Sequence, residues 1–220
     1  MTSHQSFLLN QIKKYASNQL NAVDAGHDLT HIHRVLENAR RINEIEKGDA
    51  FLIEAGVWLH DVTDEKLFDK QKAEAYLISF LKEIKVEEEL ISTLVNLINS
   101  VSFGSEFNGS KVLSKEQMIV RDADRLDAMG AIGIARTFHY GGSKNRELFN
   151  ASIPPKTYAS TEDYRKSESP TVNHFYEKLL LLKDKMETST GKTMAEERHN
   201  FMLNFLKQFY AEIGEKGFSL

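Results

Sequence analysis

Cysteine is absent from the 220-residue chain. Its absence excludes disulfides, thiolate zinc sites, iron–sulfur clusters and cysteine nucleophiles, and it is compatible with a reducing compartment. Proline is scarce. Pro154, Pro155 and Pro170 are the three that occur, so no ring constraint interrupts a helix before residue 154. No run of about 18 apolar residues is present, and no membrane span is expected. Met1 to Gln11 lack a basic stretch followed by an apolar one and do not read as a secretory signal. The expectation is a soluble cytoplasmic protein with no membrane partner. Excess positive charge is missing too. A net charge of −4 excludes a broadly basic surface, so nucleic acid is not an expected partner. An anionic substrate would have to be met by local cations, a metal or both. Alternating strand patterns are nearly absent, as is any repeat of 20–50 residues, which excludes a solenoid.

What is present is apolar spacing near 3.6, over and over. Phe7, Leu8, Ile12, Tyr15 and Ala16 mark a first helix, and Ile32, Val35, Leu36, Ala39 and Ile42 a second. Phe51, Leu52, Ala55, Trp58 and Leu59 lead straight into His60. Further stripes start at Ala73 and at Leu90. One segment from about Lys115 to Phe138 follows, and two more helices are expected around 171–187 and 193–213, joined by a short connection over Thr188 to Thr193. Residues 139–170, with Gly141, Gly142, the proline pair and many polar residues, read as a long surface excursion. The fold class is all-α, a single globular helical bundle; 41% hydrophobic content suffices for a sizeable core.

Three of these helical segments carry histidine and aspartate. His31 lies on the second, His60-Asp61 ends the third, and Asp124 lies in the 115–138 segment. Helix bundles build metal sites this way, from inward side chains on facing helices. Adjacent residues of a helix point about 100° apart, so His60 and Asp61 can grip one ion only near a helix end or against facing helices. Two nitrogens and two oxygens suit manganese, iron, cobalt, nickel or zinc, and magnesium less well. A histidine–aspartate dipeptide is weak on its own, as a second one at His27-Asp28 shows. The pattern alone leaves a salt-bridged helical core open as well.

Four segments resemble the HD-domain metal-dependent phosphohydrolases: His27-Asp28-Leu29-Thr30-His31-Ile32-His33-Arg34-Val35, Leu59-His60-Asp61-Val62, Asp122-Ala123-Asp124-Arg125-Leu126-Asp127-Ala128, and Gly130-Ala131-Ile132-Gly133-Ile134-Ala135-Arg136-Thr137-Phe138. The last two look like a subgroup of small stand-alone bacterial HD proteins. Asn173 to Leu180 and Ala195 to Arg198 are similar to that subgroup also. The resemblance spans roughly residues 20–213. It implies one domain over 1–220, with a core of about 20–138 and C-terminal helices 171–213 packed on it.

Residue by residue, the resemblance implies that His31, His60, Asp61 and Asp124 are metal ligands. The aspartate of an Ala-Asp-Arg/Lys-Leu run binds metal in related HD proteins, and that residue here is Asp124. Asp127 would hydrogen-bond a ligand or the substrate, while helix capping and surface pairing stay open for Asp122 and Asp127. Acidic residues follow the HD pair in related nucleotide hydrolases. Asp64 is therefore the candidate for orienting or deprotonating water, with Glu65 second. Arg34 shares a helix face with His31, and Arg125 follows Asp124. Either guanidinium suits bidentate phosphate binding, with Lys66 a further candidate; a salt bridge to one of the many acids is the alternative for each. His27 is placed to support a ligand, and His33 flanks the same one. No histidine lies between His60 and His139, which points to one divalent ion. His139 and His174 receive no metal role.

A bound divalent ion brings the pKa of water toward neutrality and neutralises phosphate charge. The implied activity is hydrolysis of a nucleotide. Resemblance to the stand-alone subgroup favours a nucleoside triphosphate cleaved to monophosphate and pyrophosphate. A phosphomonoesterase, a phosphodiesterase and a non-catalytic nucleotide sensor are the alternatives. The apolar C-terminal helix is compatible with a homodimer. Gly191-Lys192-Thr193 is rejected as a P-loop, because Met186 stands where the earlier glycine is required.

Overall fold

The computed structural model describes residues 1–20, 29–63, 69–101, 112–158 and 168–218. Helices make up its regular structure, and no strand occurs among the described residues. The all-α expectation holds. The chain divides into two compact units, Met1–Asp124 and Arg125–Leu220.

The first unit contains α1 (Ser3–Leu20), α2 (Leu29–Glu46), α3 (Ala50–Leu59), α4 (Lys70–Glu83), α5 (Glu88–Val101) and most of α6 (Lys115–Asp127). Helix α3 is its centre and packs against α1, α2 and α5. The sequence of α3 explains this: Phe51, Ile53, Ala55, Val57, Trp58 and Leu59 are all buried. A helix apolar on every side belongs in the interior. Gly56 admits α5 closely, since a Cβ there would lie 2.4 Å from a Leu97 methyl carbon. Asp49 caps the start, its carboxylate accepting from the amides of Phe51 at 2.8 Å and Leu52 at 3.0 Å. The one acid in α3, Glu54, is buried. It takes two hydrogen bonds from Arg40 of α2 at 2.9 and 3.0 Å and faces Lys13 of α1 at 3.8 Å.

In the second unit, α7 (Gly130–Ser143) packs against α9 (Ser189–Ile213). Between them in sequence comes the short α8 (Asn173–Glu177). Phe138, Phe175, Phe205 and Phe209 form the aromatic core, with Phe175 and Phe205 stacked at 5.8 Å. Thr188 caps α9 through a 2.9 Å bond from the Gly191 amide. Gly214 ends it in the left-handed region at φ 72°.

Four expectations need correction. The apolar segment over 115–138 is two helices. The Ala128 and Met129 amides turn back to the Arg125 and Leu126 carbonyls at 3.1 Å, and Gly130 follows at φ 65°. The helix expected over 171–187 is α8 plus two 3-10 turns at Leu179–Leu181 and Lys183–Lys185. The connection expected over Thr188 to Thr193 is the first turn of α9, since Thr188 supplies the cap. The surface excursion also starts later than expected, because α7 runs on to Ser143.

Candidate metal centre

Each site residue is delivered by a helix of the first unit. His31 sits in the first turn of α2 and is buried. His60 caps the C-terminus of α3, and Asp61 opens the tight turn after it, where the Val62 amide returns to the Leu59 carbonyl at 3.2 Å. Both are buried. The chain thus turns out of α3 at these two adjacent side chains. Asp124 lies in the last turn of α6, with its side chain 35% exposed.

The four residues lie together. His31 Nε2 is 3.4 Å from His60 Nε2, 3.5 Å from Asp61 Oδ2 and 3.4 Å from Asp124 Oδ1. His60 Nε2 is 3.3 Å from Asp61 Oδ1 and 3.8 Å from Asp124 Oδ1. The Asp61 carboxylate thus addresses both imidazoles, one oxygen to each. Donor atoms from His31, His60 and Asp124 all fall within 4.8 Å of one another.

The tautomer of His60 follows from its other nitrogen. Nδ1 lies 2.8 Å from the Val57 carbonyl, and a carbonyl only accepts, so Nδ1 carries hydrogen. In the neutral ring Nε2 then presents a lone pair to His31 and to two carboxylates. The His60 lone pair and the two carboxylates are three acceptors turned toward one point, a set that favours a cation among them. A nitrogen–oxygen donor set of this kind fits a borderline divalent metal, and the Val57 carbonyl fixes the orientation of the His60 ring. Val57 was not visible in the sequence as a site residue, because its contribution is backbone.

The other sequence candidates are placed as follows. Asp64, Glu65, Lys66 and His27 lie outside the described residues. Arg34 Nη1 donates to Thr30 Oγ1 at 3.1 Å along α2. Arg125, in the second unit, donates to the Lys185 carbonyl and lies 3.7 Å from Glu187. Asp127 is buried and accepts from Arg136 at 2.6 Å. Asp122 is buried as well. His33 is exposed and meets the Trp58 ring edge-on at 5.4 Å. His139 is exposed on α7. His174 belongs to α8, where burial, and then Lys178 and Arg146, push its imidazole down to about 3.

The chain is similar to known proteins over most of its length. The HD domain family matches residues 28–129. The uncharacterized protein YpgQ of Bacillus subtilis is 37% identical over 209 residues, covering 92% of both chains. Its crystal structure in complex with ADP superposes with a TM-score of 0.75 over 95% of this chain and 96% of that one, at 31% identity. A Lactobacillus plantarum protein superposes with a TM-score of 0.84, 37% identical, over 97% of this chain and 99% of that one. An HD-superfamily hydrolase from Bacillus thuringiensis gives a TM-score of 0.76 at 38% identity, over 96% and 98% of the two chains.

Proposed function

The chain belongs to the HD-domain family of metal-dependent hydrolases, and from that premise we propose that it hydrolyses a nucleotide phosphate, with His31, His60, Asp61 and Asp124 holding one divalent cation. The observation that carries this reading is the convergence of two imidazoles and two carboxylates from three helices on one centre. The ADP bound by YpgQ supports a nucleotide as ligand.

When bound, the cation acidifies water and draws charge from a phosphate oxygen. Phosphoryl transfer asks mainly for positioning and charge stabilisation. Asp61 sets the two imidazoles relative to each other. Asp64, which follows the HD pair in sequence, orients the attacking water and takes its proton, with Glu65 as the second candidate. Arg34, one turn from His31, meets substrate phosphate, joined by Lys66. Arg125 and Asp127 would have to leave Lys185, Glu187 and Arg136 to touch substrate. The reading gives first place in phosphate binding to Arg34 because it shares a helix face with His31. Manganese, iron, cobalt, nickel or zinc fits the donor set better than magnesium.

The reaction proposed is attack of water at the α-phosphorus of a nucleoside triphosphate. The bond to the bridging oxygen breaks, and a monophosphate and pyrophosphate leave. Nucleoside mono-, di- and triphosphates incubated with the manganese-loaded protein test it. Pyrophosphate from triphosphates, absent with Asp61→Ala, is the expected profile. Orthophosphate from monophosphates would replace it with a phosphomonoesterase, and tight binding without product would replace it with a nucleotide sensor.

A further inference from the structure

We propose that Asn38 is a positioning residue for the metal centre, holding the peptide that carries Asp124. The proposal rests on the four-residue reading of the centre given above.

Seven of the α2 residues are buried: His31, Ile32, Val35, Leu36, Asn38, Ala39 and Ile42. His31 and Asn38 are the two polar ones. They stand seven residues apart, close to two full turns, and so share one helix face. His31 reaches the Asp124 carboxylate itself, at 3.4 Å. Asn38 reaches the backbone just before it, where Nδ2 donates to the Ala123 carbonyl at 3.1 Å.

That carbonyl belongs to the planar peptide linking Ala123 to Asp124. Fixing its oxygen fixes the plane that ends at the Asp124 Cα, and with it the direction of the Asp124 side chain. Asp124 needs such help more than its companions. Its side chain is 35% exposed, whereas those of His31, His60 and Asp61 are at most 5% exposed. Packing confines those three, and far less of it confines Asp124.

The far end of α6 is tied separately. Glu116 accepts from the Asp49 amide at 3.0 Å, beside the start of α3. Helices α3 and α6 are thus joined near their N-termini by Glu116, and each brings its metal candidates at its C-terminus. Asn38 is the tie at the end that matters for the metal. An amide among apolar neighbours is costly to bury without a partner, so the fold has reason to keep this bond formed.

Manganese affinity and the visible spectrum of the cobalt-loaded protein test the role, in full-length Asn38→Ala, Asn38→Asp and wild type. Asn38→Asp keeps the shape but sets a carboxylate against a carbonyl. Both variants are expected to bind manganese about 10- to 100-fold more weakly, with a cobalt spectrum moved toward that of Asp124→Ala. Ile42→Ala, in the same buried face but away from the Ala123 carbonyl, controls for lost stability. It is expected to lower the melting temperature while leaving affinity and spectrum at wild-type values. Wild-type affinity and spectrum in the folded Asn38 variants would overturn the proposal. Equal loss in Ile42→Ala would overturn it also, reducing Asn38 to general packing. A wild-type protein that binds neither manganese nor cobalt would refute the metal centre itself, and this proposal with it.

Discussion

The Nε2 atoms of His31 and His60 face each other across 3.4 Å, nitrogen toward nitrogen, with the Asp61 carboxylate spanning both at 3.3 and 3.5 Å. A cation relieves this crowding, and so does replacing one acceptor by a donor. Asp61→Asn is therefore expected to leave the metal-free protein at least as stable as wild type, because an amide NH2 can donate to an imidazole lone pair. The same change removes the charge that attracts metal. Wild type with manganese at 100 times its Kd should gain about 2.7 kcal/mol, and Asp61→Asn should gain almost nothing. Thermal melts with and without manganese check both halves.

The Arg40–Glu54 pair is asymmetric. Glu54 is 7% exposed, whereas the Arg40 side chain is 50% exposed. Removing Arg40 strands a buried carboxylate with Lys13 alone at 3.8 Å. Removing the charge of Glu54 returns Arg40 to water. Arg40→Ala is expected to cost about 2–3 kcal/mol and Glu54→Gln about 1 kcal/mol, measured by urea unfolding.

Two glycines of α7 should respond in opposite directions. Gly130 has φ 65°, and a Cβ there would meet Arg198 side-chain carbons at 3.1 and 3.2 Å. Gly130→Ala is expected to destabilise by roughly 1–2 kcal/mol. Gly142 has nothing within 4 Å of its Cβ position and lies inside the helix. Gly142→Ala should stabilise by up to about 1 kcal/mol. Denaturant midpoints give the signs directly.

His174 makes stability depend on pH. Burial, then Lys178 and Arg146, hold its imidazole down at about 3 when folded, against 6.5 ordinarily. As pH falls, the unfolded chain takes up this proton first. The stability linked to His174 is complete above about pH 6.5 and is lost progressively toward pH 3, by at most about 1.4 kcal/mol per pH unit. Burial, then Lys183, shifts His199 of α9 in the same direction. His174→Phe should flatten the acid side of the stability profile, read by urea unfolding between about pH 7 and 4.

Helices α1, α2, α4 and α5 were legible because each presents one apolar stripe of helical period, and α3 was legible as an apolar run that ends on His60. The break between α6 and α7 was not. Apolar spacing continues from Leu126 through Ile134, and the turn rests on a positive φ at Gly130 that periodicity cannot express. Leu179 to Leu182 misled in the same way, since a continuous leucine run does not separate an α-helix from successive 3-10 turns. At the site, residue type, order and resemblance pointed to two histidines and two aspartates, and their side chains lie close together. What holds them was hidden. The Val57 carbonyl that orients His60 is backbone, and Asn38 reads in sequence as one more polar residue among many. The partners of Arg125 and Asp127, namely Lys185, Glu187 and Arg136, are tertiary neighbours that spacing does not reveal.

The most direct test of the central claim is a manganese titration of the metal-free protein followed by calorimetry, on wild type and on His31→Ala, His60→Ala, Asp61→Ala and Asp124→Ala. One ion per chain in wild type, with affinity lost in every folded variant, is the predicted result. Undiminished binding in the four variants, or no binding in wild type, would contradict it.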